Sequence, residues 1–198
     1  MIVSNMLAAG TPNLILASQS PRRAELLTLA GFRFTVRARP VEEVRASGED
    51  PRDYVTRLAR AKAEASYHDD LEIVLGADTV VVLDDRVLEK PHHAAGAKAM
   101  LRALSCREHV VLTGICLKHR EGTIVDCEST RVSFITLDER EIDEYVASGE
   151  PMDKAGAYAI QGLASRFVDR IDGCYFNVMG LPLALVYKHL KAITKPQR

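Results

Sequence analysis

The stretch LILASQSPRRAELLTLAG (residues 14–31) constrains the fold of this chain more than any other part of the sequence. Its apolar start, residues 14–17, is typical of a buried strand. Pro21 then occupies a first helical position, where its missing N–H costs nothing, and Ser20 is a natural N-cap. Because apolar residues keep a helical spacing up to Gly31, we expect a strand, a hydroxyl-rich turn and a short helix.

The N-terminus of this predicted helix is a candidate anion-binding site. Free backbone N–H groups and the helix dipole attract negative charge there. Arg22 and Arg23 place two guanidinium groups in the first turn, where the dipole disfavours cations, so we expect both to bind a phosphate group. The alternative is that both arginines are solvated surface charges and that Ser18 and Ser20 only cap the helix.

Size and composition fit a globular protein. The chain has 198 residues, of which 47% are hydrophobic and 27% charged, and its net charge is −1. We therefore expect no nucleic-acid partner, and no apolar run is long enough to predict a membrane span. We expect residues 1–13 to form a flexible extension, since they lack the features of a secretion signal. Residues 14–198 are expected to form a single domain, and the protein is expected to be cytoplasmic.

The cysteines and the histidine pair do not have the spacing of a metal site. His92 and His93 are adjacent rather than four residues apart, so we expect both to lie on the surface. The cysteines form no CxxC pair and are expected to be reduced, buried thiols. They are Cys106, Cys116, Cys127 and Cys174.

Strands and helices alternate along the rest of the sequence, which favours an α/β fold with a mixed sheet. Predicted strands and extended segments cover residues 32–38, 72–77, 80–83, 86–89, 109–118 and 123–135. Predicted helices begin at Pro51 after an Asp50 N-cap, cover residues 93–104 and 183–193, and begin with a Thr136–Glu139 capping box before ending near Ser148. We expect Tyr54, Val55, Leu58, Ala61 and Ala65 to form the buried stripe of the Pro51 helix.

Charged side chains near strand ends supply the groups needed for phosphoryl chemistry. Asp78 lies in a valine-rich run, where an unpaired carboxylate would be costly to bury, so we expect it to meet a metal, a cation or water. Glu43 lies in a predicted loop, and Lys90 follows the hairpin strand. Lys62 lies at the margin of an apolar helical stripe, either as a surface lysine or as a cation that reaches into a cleft.

These carboxylates and cations suit metal-assisted attack of water on a phosphoryl group. The sequence has no GxxxxGK[ST] loop, no GxGxxG after a strand and no GxSxG elbow, so the common nucleotide folds and a serine nucleophile are not indicated. Residues and chemistry alone thus indicate a metal-dependent hydrolase of nucleotides or phosphate esters.

The sequence resembles the Maf family of nucleoside triphosphate pyrophosphatases over residues 14–190. Seven motifs occur in the family's order: ASQSPRR (17–23), RLARAKA (57–63), LGADTVV (75–81), LEKP (88–91), ESTRVSF (128–134), DKAGAYAIQG (153–162) and NVMGLPL (177–183). The resemblance implies an α/β fold, with a mixed β-sheet, flanking helices and two lobes around a deep cleft, related to the inosine triphosphate pyrophosphatase fold. It also implies hydrolysis of a nucleoside triphosphate to the monophosphate and pyrophosphate with a divalent cation.

The resemblance assigns roles to single residues. Asp78 matches the general base, and the DKAGAYAIQG form is similar to that of the branch acting on dTTP and UTP. The positions that set substrate preference in that branch match Arg22, Thr79 and Gln161. Its other active-site positions match Ser18, Glu43, Lys62 and Lys90.

The chemistry of these residues agrees with the assigned roles. An ordinary aspartate is a weak base at neutral pH, so we expect Glu43 and Asp78 to hold Mg²⁺ or Mn²⁺, with Asp78 orienting the attacking water. Gln161 suits uracil or thymine, because one amide can accept from N3–H and donate to a neighbouring carbonyl. The phosphate chain is expected to contact Arg22, Lys62, Lys90 and the N–H groups after Ser18.

Several alternatives remain open at this point. The same chemistry could act on another base, such as that of 7-methylguanosine triphosphate or another purine nucleotide, or on a modified pyrimidine nucleotide. A general phosphatase would release orthophosphate instead. A non-catalytic nucleotide-binding regulator of septum formation is a hypothesis from a different class, since Maf proteins are also linked to cell division. The expected partner is a nucleoside triphosphate, with a homodimer as one open oligomeric state.

Overall fold

A computed structural model describes residues 13–194 of the chain. The strands are β1 (Asn13–Leu16), β2 (Thr35–Val36), β3 (Glu72–Leu83), β4 (Arg86–Leu88), β5 (Glu108–His119), β6 (Gly122–Phe134) and β7 (Val168–Asp172). The α-helices are α1 (Pro21–Leu29), α2 (Pro51–Ser66), α3 (Ala94–Leu104), α4 (Glu139–Ala147), α5 (Tyr175–Met179) and α6 (Leu183–Ile193). Short 3-10 helices cover Glu150–Asp153, Ala155–Ala157 and Leu163–Phe167.

The strands form one mixed sheet of seven strands. Its order is β2-β1-β3-β5-β6-β7, and β4 pairs with β3 outside this path. Strand β1 is parallel to β2 and β3, whereas the β3–β4 and β6–β7 pairs are antiparallel. Helices α1 and α2 provide the crossovers that parallel pairing requires. The predicted α/β class with a mixed sheet and flanking helices is confirmed, and the predicted cleft stays a prediction.

The described chain divides into two compact units. Within the described residues, the first unit contains residues 13–78, 113–128 and 180–194, and the second contains residues 79–112 and 129–179. The prediction of a single domain over residues 14–198 is not decided by this division. The prediction of a flexible extension falls mostly on residues 1–12, which lie outside the described residues, and Asn13 is the first residue of β1.

Strand β1 and helix α1 form where the sequence predicts them. Pro21 is the first residue of α1, and Gly31 follows the helix at a φ of 76°, a left-handed conformation that glycine adopts readily. Ser20 occupies the N-cap position, but its side chain makes no capping bond. Instead, the Ser20 N–H donates to Ser18 Oγ at 3.2 Å, so the hydroxyl two residues earlier organises the turn.

Helix α2 packs closely on the sheet of the first unit. Asp50 caps it by accepting from the N–H groups of Arg52 and Asp53 at 2.8 and 3.4 Å, as predicted. A Cβ on Gly76 of β3 or on Gly114 of β5 would overlap the backbone of α2. These two glycines therefore allow the helix to lie almost directly on the strands.

The buried face of α2 differs from the predicted stripe. Tyr54, Val55 and Leu58 are buried as expected. Ala59 and Ala63 are also buried, whereas Ala61 is half-buried and Ala65 is exposed. The helix turns this face to the sheet because Ala59 and Ala63 contact the Cβ-free surface of Gly76.

Three further local predictions were wrong. The strand predicted over residues 32–38 is reduced to Thr35–Val36, and both of these residues are exposed. The capping box of α4 is Asp138 with Glu141 rather than Thr136 with Glu139, since Asp138 Oδ1 accepts from the Glu141 N–H at 2.8 Å and Glu141 Oε2 from the Asp138 N–H at 3.0 Å. Of the four cysteines predicted to be buried, Cys106 is exposed and Cys174 is half-buried.

No helix within residues 13–194 is long and apolar enough to cross a membrane. His92 and His93 are exposed, as predicted, and His93 Nδ1 accepts from the Gly96 N–H at 3.0 Å to cap α3.

Candidate active site

Lys62 joins two carboxylates in the first unit. Its Nζ lies 2.6 Å from Asp78 Oδ1 and 2.7 Å from Glu43 Oε1. Lys62 comes from α2, Asp78 from β3, and Glu43 from the loop that precedes α2. The structure thus brings together three residues that the sequence predicts for the site. Lys62 is not a solvated surface lysine, and its predicted position in a cleft stays a prediction.

The Lys62 ammonium and the Asp78 carboxylate are largely shielded from water. Their side chains are 13% and 12% exposed, whereas that of Glu43 is 49% exposed. A charge at such a depth requires a partner, and the direct hydrogen bond between Lys62 and Asp78 provides one. Glu43 remains open to solvent and is held through its backbone, whose carbonyl accepts from Tyr54 Oη at 3.0 Å.

Arg23 is buried, and its guanidinium group is bonded to backbone carbonyls rather than exposed to solvent. Its Nε donates to the Gly180 carbonyl at 2.8 Å, and its Nη1 donates to the Ala77 carbonyl at 2.7 Å and to Ser18 Oγ at 3.1 Å. Burial lowers the pKa of Arg23, and the Asp78 carboxylate opposes that shift. Arg23 therefore fixes the backbone next to Asp78, and its predicted contact with substrate stays a prediction.

Ser18 and Arg22 lie at the start of α1. The Ser18 hydroxyl oxygen is buried and accepts from both Arg23 and the Ser20 N–H. Arg22 is half-buried at the second position of the helix. The β1–α1 turn thus lies between a strand and a helix as predicted, and Arg23 connects Ser18 to the carbonyl of Ala77, the residue before Asp78. Its role as an anion site stays a prediction.

The remaining predicted residues belong to the second unit. Thr79 directly follows Asp78 within β3 and is half-buried. Lys90 is exposed after β4, next to Glu89, whose carbonyl accepts from the Gly156 N–H at 3.2 Å. Gln161 is exposed at the end of the small-residue segment, whose residues 156–160 are all buried.

Two residues that the sequence analysis did not select hold the segment around Gln161. Tyr145 Oη accepts from the Ala159 N–H at 3.2 Å and donates to Glu150 Oε1 at 2.9 Å. Glu150 Oε2 accepts from the Leu163 N–H at 3.1 Å. Their signal in the sequence is weak, because Tyr145 fits the apolar stripe of α4 and Glu150 looks like an ordinary acidic residue after a helix.

A divalent cation suits the oxygen donors of the first unit. Glu43 and Asp78 converge on one ammonium, and carboxylates are ligands that Mg²⁺ and Mn²⁺ accept. Within residues 13–194, no group of three or more His, Cys, Asp and Glu side chains is arranged to hold a metal ion. The protein would thus supply few ligands, which is the usual situation of a magnesium ion that also binds substrate phosphates.

Comparison with known proteins identifies related sequences along nearly the whole chain. A family model described as "Maf-like protein" matches residues 13–193. A dTTP/UTP pyrophosphatase of Koribacter versatilis is 52% identical over 181 residues, which are 90% of this chain and 93% of that protein. A dTTP/UTP pyrophosphatase of a Geobacillus species is 49% identical over 91% of this chain and 97% of its own length.

A third relative and one solved structure extend the comparison. The dTTP/UTP pyrophosphatase of Anaeromyxobacter dehalogenans is 51% identical over 87% of this chain and 90% of its own length. A crystal structure of a nucleoside-triphosphatase / dITP/XTP pyrophosphatase from Mycobacterium abscessus covers 63% of this chain and 75% of its own, at a TM-score of 0.41 and 18% identity. That structural likeness is too weak to carry an argument.

Proposed function

Since this chain belongs to the Maf-like protein family, we propose that it is a hydrolase that converts dTTP and UTP to the monophosphates and pyrophosphate. The sequence resemblance to this family is confirmed by the match over residues 13–193. The observation that supports the proposed chemistry is the pair of ion pairs that Lys62 forms with Asp78 and Glu43. The proposed substrates follow from the names of relatives about half identical to this chain over most of its length.

Asp78 is the proposed general base. It accepts a proton from water, the water oxygen bonds to the α-phosphorus, and the bond from that phosphorus to the bridging oxygen breaks. Pyrophosphate leaves with the bridging oxygen. The hydrogen bond from Lys62 and the Arg23 bond to the Ala77 carbonyl hold Asp78 in one position, so little reorganisation is needed during the reaction.

The cations have separate proposed tasks. Arg22 and the N–H groups after Ser18 bind phosphate oxygens, because a guanidinium group and the positive end of a helix dipole both attract an anion. Lys62 and Lys90 offset the negative charge that develops on the leaving pyrophosphate. Arg23 acts beneath them, where its guanidinium is bonded to backbone carbonyls and to Ser18.

Glu43 and Asp78 are the proposed ligands of a divalent cation, Mg²⁺ or Mn²⁺. When bound, such an ion supplies positive charge beside the phosphate chain and makes a water molecule a better nucleophile. Lys62 holds the same two carboxylates close together without the ion. This arrangement keeps both acidic side chains in place before substrate arrives.

Gln161 is the proposed reader of the base, with Thr79 and Arg22 as further determinants of preference. Its amide oxygen accepts from N3–H of uracil or thymine, and its amide nitrogen donates to a ring carbonyl. Cytosine presents the opposite order at N3, so the same amide would leave polar groups unpaired. A modified pyrimidine with the uracil edge satisfies Gln161 equally well.

Cytoplasmic location and a homodimeric state stay predictions.

The test is product analysis with UTP, dTTP, CTP, GTP and 7-methyl-GTP, each with Mg²⁺, with Mn²⁺ and with a chelator. We expect monophosphate and pyrophosphate from UTP and dTTP, and loss of both products with the chelator. Turnover of purines alone would contradict the assigned substrates, and orthophosphate as the first product would indicate a general phosphatase. Binding without turnover of any nucleotide would favour the regulator.

A further inference from the structure

Gln161 lies at the exposed tip of a tight turn in the second unit. The Gly162 N–H donates to the Ala159 carbonyl at 3.0 Å and closes this turn. Residues 156–160 before it are buried, whereas Gln161 itself is exposed. The direction of the Gln161 side chain therefore depends on how the backbone of Ala159 and Leu163 is held on either side.

One pair of side chains holds both ends of this turn. Tyr145 Oη accepts from the Ala159 N–H at 3.2 Å, two residues before Gln161. Glu150 Oε2 accepts from the Leu163 N–H at 3.1 Å, two residues after it. The Tyr145 hydroxyl donates to Glu150 Oε1 at 2.9 Å and links the two supports.

Packing fixes this pair in place. Tyr145 is only 1% exposed, and its ring lies edge-on to Phe167 with a centroid distance of 5.4 Å. Burial, together with the Glu150 hydrogen bond, raises the pKa of Tyr145, so its hydroxyl remains a proton donor. Glu150 begins the 3-10 helix three residues after the end of α4, and its N–H donates to Ser148 Oγ at 3.2 Å.

Gly162 shows how closely the turn approaches Glu150. A Cβ at this position would overlap the Glu150 carboxylate, although the φ of Gly162, −105°, suits any residue. The glycine therefore leaves space for the Glu150 carboxylate in its present position. The carboxylate fills the volume directly beneath the residue next to Gln161.

We propose that Tyr145 and Glu150 are positioning residues that set the direction of the Gln161 amide and thereby the preference for uracil and thymine over cytosine. This inference rests on the base-reading role of Gln161 in the proposed function. An amide discriminates bases only when its donor and acceptor lie within hydrogen-bond distance of the correct edge. Loss of either support lets the turn move and weakens that discrimination.

The test compares kcat/KM for UTP and CTP in the variants Tyr145→Phe and Glu150→Gln. Tyr145→Phe keeps the ring against Phe167 and removes only the hydroxyl that supports Ala159 and Glu150. We expect the UTP-to-CTP ratio to fall about 10-fold, mainly through a higher KM for UTP, since one well-placed hydrogen bond is worth about 1–1.5 kcal/mol. Glu150→Gln keeps one acceptor oxygen and is expected to lower the ratio less.

Matched controls separate positioning from folding. Glu144→Gln changes an exposed carboxylate on the same helix α4, which pairs only with Arg140 among the contacts described, and should leave the ratio unchanged. Thermal unfolding of each variant checks that the fold persists. A purely structural role would lower kcat/KM for UTP and CTP by the same factor, and that result would overturn the proposal.

Gln161→Ala distinguishes this inference from the assignment on which it rests. If Gln161→Ala leaves the UTP-to-CTP ratio unchanged, both the base-reading role and this inference are overturned. If Gln161→Ala lowers the ratio and Tyr145→Phe does not, only this inference is overturned. The expected result is that the double variant Tyr145→Phe/Gln161→Ala has the same ratio as Gln161→Ala alone, because Tyr145 acts through Gln161.

Discussion

Lys62 and Asp78 lie 2.6 Å apart, although one belongs to helix α2 and the other to the central strand β3. The distance is short because α2 lies almost directly on the sheet, where Gly76 and Gly114 carry no side chain. The absence of a Cβ atom at these two glycines thus allows a lysine and an aspartate to come into contact. The sequence resemblance predicts that Lys62 and Asp78 belong to the active site.

Replacement of Lys62 by Met tests the cation of this pair. The variant keeps a long apolar stem but leaves Asp78 and Glu43 without their shared ammonium, so we expect kcat/KM for UTP to fall about 100-fold or more. Arg60→Gln on the same helix is the control, because Arg60 is exposed and its described ion pair is with Glu64. Equal activity of the Lys62 variant and the control would remove Lys62 from the mechanism.

Replacement of Asp78 by Asn tests the general base. The amide has the shape of the carboxylate but cannot accept a proton, so we expect turnover to disappear while nucleotide binding, measured by calorimetry with UTP, persists. Asp84→Asn in the turn after β3 should remain active, since Asp84 is exposed and forms an ion pair with Arg107. Retained turnover in Asp78→Asn would exclude the assigned role.

Acidification should destabilise the second unit through His109. Burial lowers the pKa of His109 from 6.5 to about 4, while its Nε2 lies 2.8 Å from Tyr158 Oη. The unfolded chain binds the proton on this imidazole more tightly than the folded chain does. The neutral, buried His109 therefore makes its full contribution to the unfolding free energy above about pH 6.5, and this contribution is lost as the pH falls towards 4. The shift corresponds to about 3 kcal/mol at most.

The measurement is urea unfolding of the protein and of His109→Gln at several pH values between 7.5 and 4.5. The variant lacks the titrating imidazole, so the difference in unfolding free energy between the two proteins should shrink as the pH falls through this window. A difference that does not depend on pH would show that His109 is not held neutral in the folded state.

Replacement of Gly114 by Ala tests the close packing of α2. The new Cβ would overlap the backbone of Val55, which cannot move without shifting the whole helix, so we expect a loss of about 3 kcal/mol or more in unfolding free energy. Gly96→Ala is the matched control, because the nearest atom to its Cβ, in His93, is 3.5 Å away. We expect that helical substitution to be neutral or slightly stabilising. Equal stability of the two variants would contradict this packing.

Much of the fold could be predicted from local signals. The proline at the start of α1, the aspartate cap of α2 and the left-handed Gly31 are consequences of backbone chemistry within a few residues. The capping box of α4 lies two residues beyond its predicted position. The sequence allows both positions, because Asp138 and Glu141 have the same spacing as Thr136 and Glu139. Strand β7 and helix α5 have no clear signal, since both contain only five residues and little periodicity.

The site was predictable only as a set of residue types. The sequence leaves Lys62 with two interpretations, and the packing of α2 on β3 excludes a solvated surface lysine by placing Lys62 beside Asp78. The sequence predicts the same phosphate-binding role for Arg22 and Arg23, whereas in the structure Arg23 is buried and bonded to the distant Gly180 carbonyl. Contacts between residues far apart in the chain, such as those of Arg23 with Ala77 and Gly180, follow from topology and have no local signal.

Hydrolysis of UTP in ¹⁸O-labelled water tests the proposed reaction most directly. If Asp78 directs water to the α-phosphorus and pyrophosphate leaves, one labelled oxygen should appear in the monophosphate and none in pyrophosphate, as read by mass spectrometry. Label in pyrophosphate would mean attack at the β-phosphorus, and label in orthophosphate would mean a phosphatase. Either result would contradict water attack at the α-phosphorus directed by Asp78.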